Sequence, residues 1–252
     1  MSFPRRVIRW VLCIVVVVGL LLLADAGLAM RTERRTAQAV QDIAGLDVEP
    51  KVSIGGFPYT LSALTGEFSG VSATALDVDV PEFGMLNASS GYSAVEVTPA
   101  QVLSGDFSGA LAELYTRTLS LDGVALGNQL GITDLEIANP YDISPSGGVA
   151  SEAQLTGTPP GFDQPVTITA ALRLDGPWFH LVPREVIDAP ESHEQDALNA
   201  FRWDLDTRRL PLAQQAQAVY LRGGSIYFEA QRRNTTVDIR NLSPIESSAD
   251  DN

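Results

Sequence analysis

Residues that carry chemistry are scarce in this chain. It has one cysteine, Cys13, and two histidines, His180 and His193. A single cysteine excludes an intrachain disulfide and a thiolate metal cluster. No Gly-x-Ser-x-Gly elbow, His-Glu-x-x-His pair or Walker loop occurs. A serine nucleophile would need His180 or His193 as its base, and neither sits in a motif. His180, in Trp178-Phe179-His180-Leu181, reads as an inward or strand-edge residue. His193 lies among Glu191, Glu194 and Asp196, where a solvated loop and a surface metal contact are the alternatives. The acid pairs Asp77/Asp79 and Asp204/Asp206 do not by spacing alone make the facing carboxylates of a glycosidase. The expectation is a protein that is not an enzyme and takes no cofactor and no metal.

Basic residues are also few. Lys51 is the only lysine, beside sixteen arginines, and the net charge is −14. The part after Asp25 keeps 14 basic and 30 acidic residues, a net charge of about −16. That opposes nucleic-acid binding, which needs a basic surface to displace phosphate counterions. It equally opposes adhesion to anionic headgroups by charge alone, so contact with lipid must be apolar.

What the chain does have is apolar length at its start. Trp10 to Ala24 is fifteen residues without a charge, preceded by Arg5, Arg6 and Arg9. Ala24-Asp25-Ala26 has the small-x-small form of a signal-peptide cleavage site. Apolar character resumes at Leu28 to Met30, and Val7 to Met30 is long enough to span a bilayer with Asp25 at the outer interface. An uncleaved signal anchor over residues 1–30 is expected, with cleavage after Ala26 as the alternative. Either way the arginines stay in the cytoplasm and the remainder is exported. Residues 31–242 then form one domain, and 243–252 an acidic disordered tail.

The domain is organised around a dense corner. Val48 to Ile54 reads as a strand, Gly55-Gly56 as a turn, and Pro58 as the start of a short helix closed by Gly66. Phe57, Tyr59, Leu61 and Leu64 crowd this stretch, either plugging one end of a core or walling an apolar ligand groove. Phe68 to Val80 reads as a long strand whose apolar phase slips between Ala75 and Leu76, which predicts a bulge. Asn87 to Val97 reads as a turn and a short strand. An amphipathic helix is expected from Pro99 or Ala100 to Thr118, with Phe107 and Leu111 on its stripe. Short strands are expected at Leu119–Leu126 and Ile132–Ala138, and a loop at Pro140–Gly148. A meander follows at Val149–Thr156, Val166–Leu174 and Trp178–Val182, then a polar stretch to Glu194. A helix is expected at Ala197–Leu205, a strand at Leu210–Ala218, a hairpin at Val219–Leu221 and Ser225–Gln231, and a last strand at Val237–Leu242.

Three segments carry a family resemblance. They are Gly56-Phe57-Pro58-Tyr59 through Val80, the stretch Leu119 to Val124, and Arg209-Leu210-Pro211-Leu212 followed by Ala218 to Ile226. In this order, behind an apolar leader, they resemble the LmeA (DUF2993) family of actinobacterial envelope phospholipid-binding proteins. The resemblance implies an α+β fold that is β-rich, with a curved antiparallel sheet and two or three helices. It implies a tubular, BPI-like body enclosing an elongated apolar cavity, and phospholipid binding on the outer side of the plasma membrane. A part in mannolipid or envelope maturation is implied with it. The candidate groove lining is Ile54, Phe57, Tyr59, Leu61, Leu64, Phe68 and Val71 at the corner, Phe107 and Leu111 in the middle, and Ile168, Leu172, Ile226 and Phe228 later in the chain. After Leu210-Pro211 this chain has Leu212-Ala213 where the family often has Phe-Gly, which puts a pocket contact at Ala213 in doubt. The expected partner is a phospholipid or other envelope lipid, with the membrane reached through the N-terminal helix. Energetically such transfer is feasible. A chain of about sixteen carbons gains on the order of 12 kcal/mol over water, but the bilayer already supplies that, so a groove needs apolar area rather than charge. The alternative is a membrane-anchored structural or interaction protein without a lipid ligand.

Overall fold

Eleven strands in two antiparallel sheets and six α-helices make up the described chain of this computed structural model, which covers residues 5–44, 49–104, 106–141, 148–190 and 193–243. The architecture is α+β with curled antiparallel sheets behind a long N-terminal apolar helix, α1 (Arg5–Ala44). The first sheet has the order β1 (Lys51–Gly55), β2 (Glu67–Val80), β3 (Gly84–Glu96), β4 (Leu111–Leu121), β11 (Ser225–Thr236), β10 (Ala218–Arg222). Between β4 and β10 the chain builds the second sheet. Its order is β5 (Glu136–Ala138), β6 (Glu152–Gly157), β7 (Val166–Asp175), β8 (Trp178–Asp188), β9 (Trp203–Asp206). Phe179 of the second sheet meets Phe228 of the first edge-on at 4.9 Å, one weld between them.

The interior divides into two apolar clusters. One lies between the sheets and includes Leu86, Leu119, Leu155, Ile168, Leu181, Phe201, Ile226 and Phe228. The other lies under α1 and includes Val40, Ile54, Tyr59, Phe68, Val71, Tyr92, Phe107 and Tyr115. The expected bulge in β2 is present. The register shifts between Ala75 and Val78, Asp77 takes φ 53, and its N–H donates to Asn87 Oδ1 at 3.1 Å. A second phase slip was not foreseen. Two outward residues separate Phe68 from Val71, Val95 from Tyr92, and Ala112 from Tyr115. The slip crosses three paired strands at one level, with Ala94 at φ 50. A strand that changes face this way curls the sheet.

Several local expectations are corrected. The helix expected through Thr118 ends at Ser104 as α3 (Pro99–Ser104), and Leu111–Leu121 is strand β4. The three- and four-residue spacing there was coincidence. From Tyr115 the inward face runs Tyr115, Arg117, Leu119, Leu121, and an inward arginine hid the period of two. β3 is thirteen residues long, not a turn and a short strand. Glycines on both strands serve the close approach of β2 and β3: a Cβ on Gly91 of β3 would sit 3.0 Å from Ser72 Cβ, and one on Gly70 of β2 2.6 Å from Tyr92 O. The strand expected at Leu119–Leu126 stops at Leu121, where Asp122 accepts from Ala125 N–H and starts α4 (Gly123–Leu130). β8 runs on to Asp188 through Pro183; it pairs with β9 only over Trp178–Leu181, so the missing N–H of Pro183 faces an open edge. The helix expected to Leu205 is α5 (Glu194–Ala200), with Leu205 in β9. Leu210 to Gln217 is not a strand but a loop that buries Leu210, Leu212 and Ala216 in the first cluster. Val237–Leu242 ends in a short helix, α6 (Ile239–Leu242), capped by Asp238. Residues 142–147 of the expected loop and 244–252 of the expected tail lie outside the described residues.

Candidate functional site

The corner after β1 is assembled from both sides. Gly56 takes φ 134, where a side chain would be strained. It turns the chain into α2 (Tyr59–Thr65). Pro58 stands at the N-cap without a side chain that can accept, so the first N–H groups need other partners. Leu61 and Ser62 donate to Pro58 O at 3.1 and 3.2 Å. Tyr59 and Thr60 donate to the Asp25 carboxylate at 2.8 and 2.7 Å. Asp25 belongs to α1, so the long helix caps the short one. Two further bonds fix this contact: Tyr59 Oη donates to Thr32 Oγ1 at 3.1 Å, and Ile54 N–H to Glu33 Oε1 at 2.9 Å. α2 ends at Gly66, which takes φ 77 and donates to Ser62 O at 2.9 Å. Val97 N–H donates to Gly66 O at 2.8 Å and ties the corner to the end of β3.

Under the corner, aromatic rings run inward. Tyr59 and Phe68 lie 5.3 Å apart, and Phe68 meets Phe107 edge-on at 5.8 Å. Above it, three apolar side chains face outward: Phe57 is 81% exposed, Leu61 55% and Leu64 84%. Beside α3 a shallow depression of about 550 Å³, wide open to solvent, lies between Glu96–Thr98, Gln101 and Gly109–Leu111.

The thirteen residues expected to line a groove thus fall into three sets. Ile54, Tyr59, Phe68, Val71 and Phe107 come together in the cluster under α1. Ile168, Leu172, Ile226 and Phe228 come together in the cluster between the sheets. Phe57, Leu61, Leu64 and Leu111 are exposed, and Leu111 also lines the depression. A second groove, of about 320 Å³, crosses the outward face of β1 to β4 and is lined mainly by Ser, Gly and Thr, among them Ser53, Gly70, Ser72, Gly91 and Thr116.

The polar groups form structural contacts. His180 Nδ1 pairs with Asp204 across the β8–β9 ladder. His193 precedes α5 and its ring meets Phe162 at 5.9 Å. Among the described residues no group of three or more His, Cys, Asp or Glu could hold a metal. Bonds from Thr158, its backbone N–H foremost, hold the Asp134 carboxyl below the usual carboxylate range. The Arg240 side chain does the same for Asp238. Burial, with the nearby Glu229 charge, pushes the Tyr220 phenol up.

Two structural devices escaped the sequence. One is the Asp25 clamp. The other is a latch on the last described segment. Arg117 is fully buried and donates to Asn241 O at 3.2 Å, Ser243 O at 2.9 Å and Pro211 O at 3.4 Å. Tyr115 Oη donates to Asn241 O at 2.7 Å, and Ser90 Oγ to Leu242 O at 2.7 Å. The carbonyls that end α6 are therefore satisfied from one face of β3 and β4. An arginine spaced two residues from each of two inward side chains, Tyr115 and Leu119, was the available signal.

A family model described as LmeA-like phospholipid-binding matches residues 23–231, from the last turn of the apolar run to the middle of β11. No curated protein and no solved structure matches the chain. With four-fifths of its length inside that match, the chain belongs to the LmeA-like phospholipid-binding family.

Proposed function

We propose that this protein binds phospholipid without catalysis on the extracytoplasmic face of the plasma membrane, where α1 anchors it, and that it passes lipid to or from that membrane in support of envelope or mannolipid maturation. The observation that carries this is the convergence at one pole. The base of the apolar helix, the outward Phe57, Leu61 and Leu64, and the depression beside α3 all adjoin the corner. Arg5, Arg6 and Arg9 before the span, and the acidic body after it, support the orientation. An acyl chain entering between α2 and α3 would meet the cluster of Tyr59, Phe68 and Phe107, the start of a BPI-like apolar interior.

The full chain, purified in detergent and delipidated, is expected to take up labelled phospholipid, and freshly purified protein to carry phospholipid visible by mass spectrometry. Leu64→Asp is expected to abolish uptake with thermal stability unchanged, because the side chain is exposed. Protein that never acquires lipid, yet retains a protein partner in pull-down, refutes the reading in favour of a membrane-anchored scaffold.

A further inference from the structure

We infer that the α2 corner is a membrane-docking surface: Phe57, Leu61 and Leu64 lie among the acyl chains of the leaflet that α1 leaves. The inference rests on the proposed role of α1 as an uncleaved anchor, and it adds a second, fixed point of contact.

The argument begins with length. Trp10 to Ala24, fifteen residues, spans about 22 Å as helix, while the hydrocarbon core of a bilayer is about 30 Å thick. The shortfall of roughly 8 Å corresponds to about five more residues at 1.5 Å each, which reaches from Asp25 to Ala29. A carboxylate facing lipid at that depth would be strongly disfavoured. Here it does not face lipid. Asp25 is buried, with both oxygens on the N–H groups of Tyr59 and Thr60. The clamp removes the obstacle to hydrocarbon at this level and brings α2 to the same level.

The surroundings are graded as a leaflet requires. Trp10 to Leu23 are outward and apolar, apart from the less exposed Gly19. Leu28 and Met30 are exposed on α1 beyond the clamp, at the height of α2. Phe57, Leu61 and Leu64 are exposed on the corner itself. Arg31, Arg34 and Arg35 then follow on exposed surface of α1, three and four residues apart and so on one side of the helix, where phosphates would lie. Exposed apolar side chains on both α1 and the corner give way to cations along α1, which identifies the occupant as lipid rather than a protein.

A depth measurement on the full chain tests this. In a Cys13→Ala background, Leu64→Cys carries an environment-sensitive fluorophore, and Asp175→Cys, on the turn between β7 and β8, is the control. Both proteins are reconstituted in phosphatidylcholine–phosphatidylglycerol vesicles with or without brominated acyl chains. At position 64 the emission is expected to shift to the blue, to be lost with brominated lipid and to resist iodide. The control is expected to respond to iodide only. Phe57→Cys gives an independent position should the label at 64 disturb folding, and the same pattern is expected there. A probe reached by iodide as readily as the control overturns the inference. So does a probe shielded from both quenchers, which would mean that a second copy or another protein covers the corner. Phospholipid uptake is measured on the labelled Asp175→Cys control, whose corner is intact. Uptake with a water-exposed probe removes the docking surface and leaves lipid binding standing; a lipid-buried probe without uptake does the reverse.

Discussion

Replacing Arg117 by methionine keeps the apolar volume of the side chain and removes the hydrogen bonds to Pro211, Asn241 and Ser243. The acceptors are backbone carbonyls of Pro211, Asn241 and Ser243, and the guanidinium that serves them is fully buried. A buried acceptor left without a donor costs about 1–3 kcal/mol, so three set a ceiling near 9 kcal/mol. Three effects lower it. The Pro211 bond is long at 3.4 Å, Asn241 O keeps the Tyr115 hydroxyl at 2.7 Å, and burying a cation is itself unfavourable, so its removal returns some free energy. A net loss of about 3 kcal/mol is expected. For a domain of this size that lowers the melting temperature by about 6–12 °C. Calorimetry of the full chain in detergent measures it, and amide exchange locates it. Amides of Val237–Ser243 should exchange faster, while Ile168 and Leu172 in β7 should change only as far as global stability does. Arg117→Lys keeps the charge but not the fork, so it should fall between. A methionine variant that melts within about 1 °C of the parent, with the last segment still protected, would refute the latch.

Asp25→Ala should speed exchange of the Tyr59 and Thr60 amides, and Asp25→Asn should do so less because it keeps an acceptor; equal protection in all three proteins would show that the clamp does not cap α2. Acid should destabilise the protein in a defined window. The folded-state carboxyls of Asp134 and Asp238 lie below their ordinary value, so their contribution is complete above pH about 4 and is lost as pH falls through the depressed folded values. Asp134→Asn should flatten the melting-temperature profile below pH about 4 and leave its shape above pH 5 unchanged. Phe228→Ala should cost about 3–5 kcal/mol, since the ring is fully buried and welds the sheets through Phe179; a loss under about 1 kcal/mol would mean that the inter-sheet core collapses around the gap.

The fold class was legible because β7 alternates over its first half, β2 alternates between its two phase slips, and the corner is punctuated by Gly55-Gly56, Pro58 and Gly66. Those signals are local, and local physics sets them. β3 was hidden because Gly91 answers to the close approach of Ser72 on β2 and Ser90 to the Leu242 carbonyl, neighbours in space whose demands leave no periodic trace. β4 was hidden by Arg117, which occupies an inward position for the sake of carbonyls more than ninety residues later. The site was legible in part. Composition marked Phe57, Leu61 and Leu64 as unusual, but whether an apolar side chain in a tight corner turns in or out depends on what packs on it. Here α1 covers Tyr59 and leaves those three uncovered.

The Asp25 clamp also bears on whether the leader is cut. Cleavage after Ala26 would discard Asp25 and leave the Tyr59 and Thr60 N–H groups to find other acceptors. Ala24 to Ala26 lie inside one helix that continues to Ala44 and packs Thr36, Ala37 and Val40 into the domain. On the anchored reading proposed above, the helix that crosses the lipid carries on as part of the folded body. A flexible tether would let the domain tumble above the bilayer. A shared helix gives it one height and restricts its tilt, so the same corner meets the same leaflet each time. If a lipid tail enters through that pole, as proposed, the constancy shortens the path the tail spends in water, which is where its transfer is least favourable.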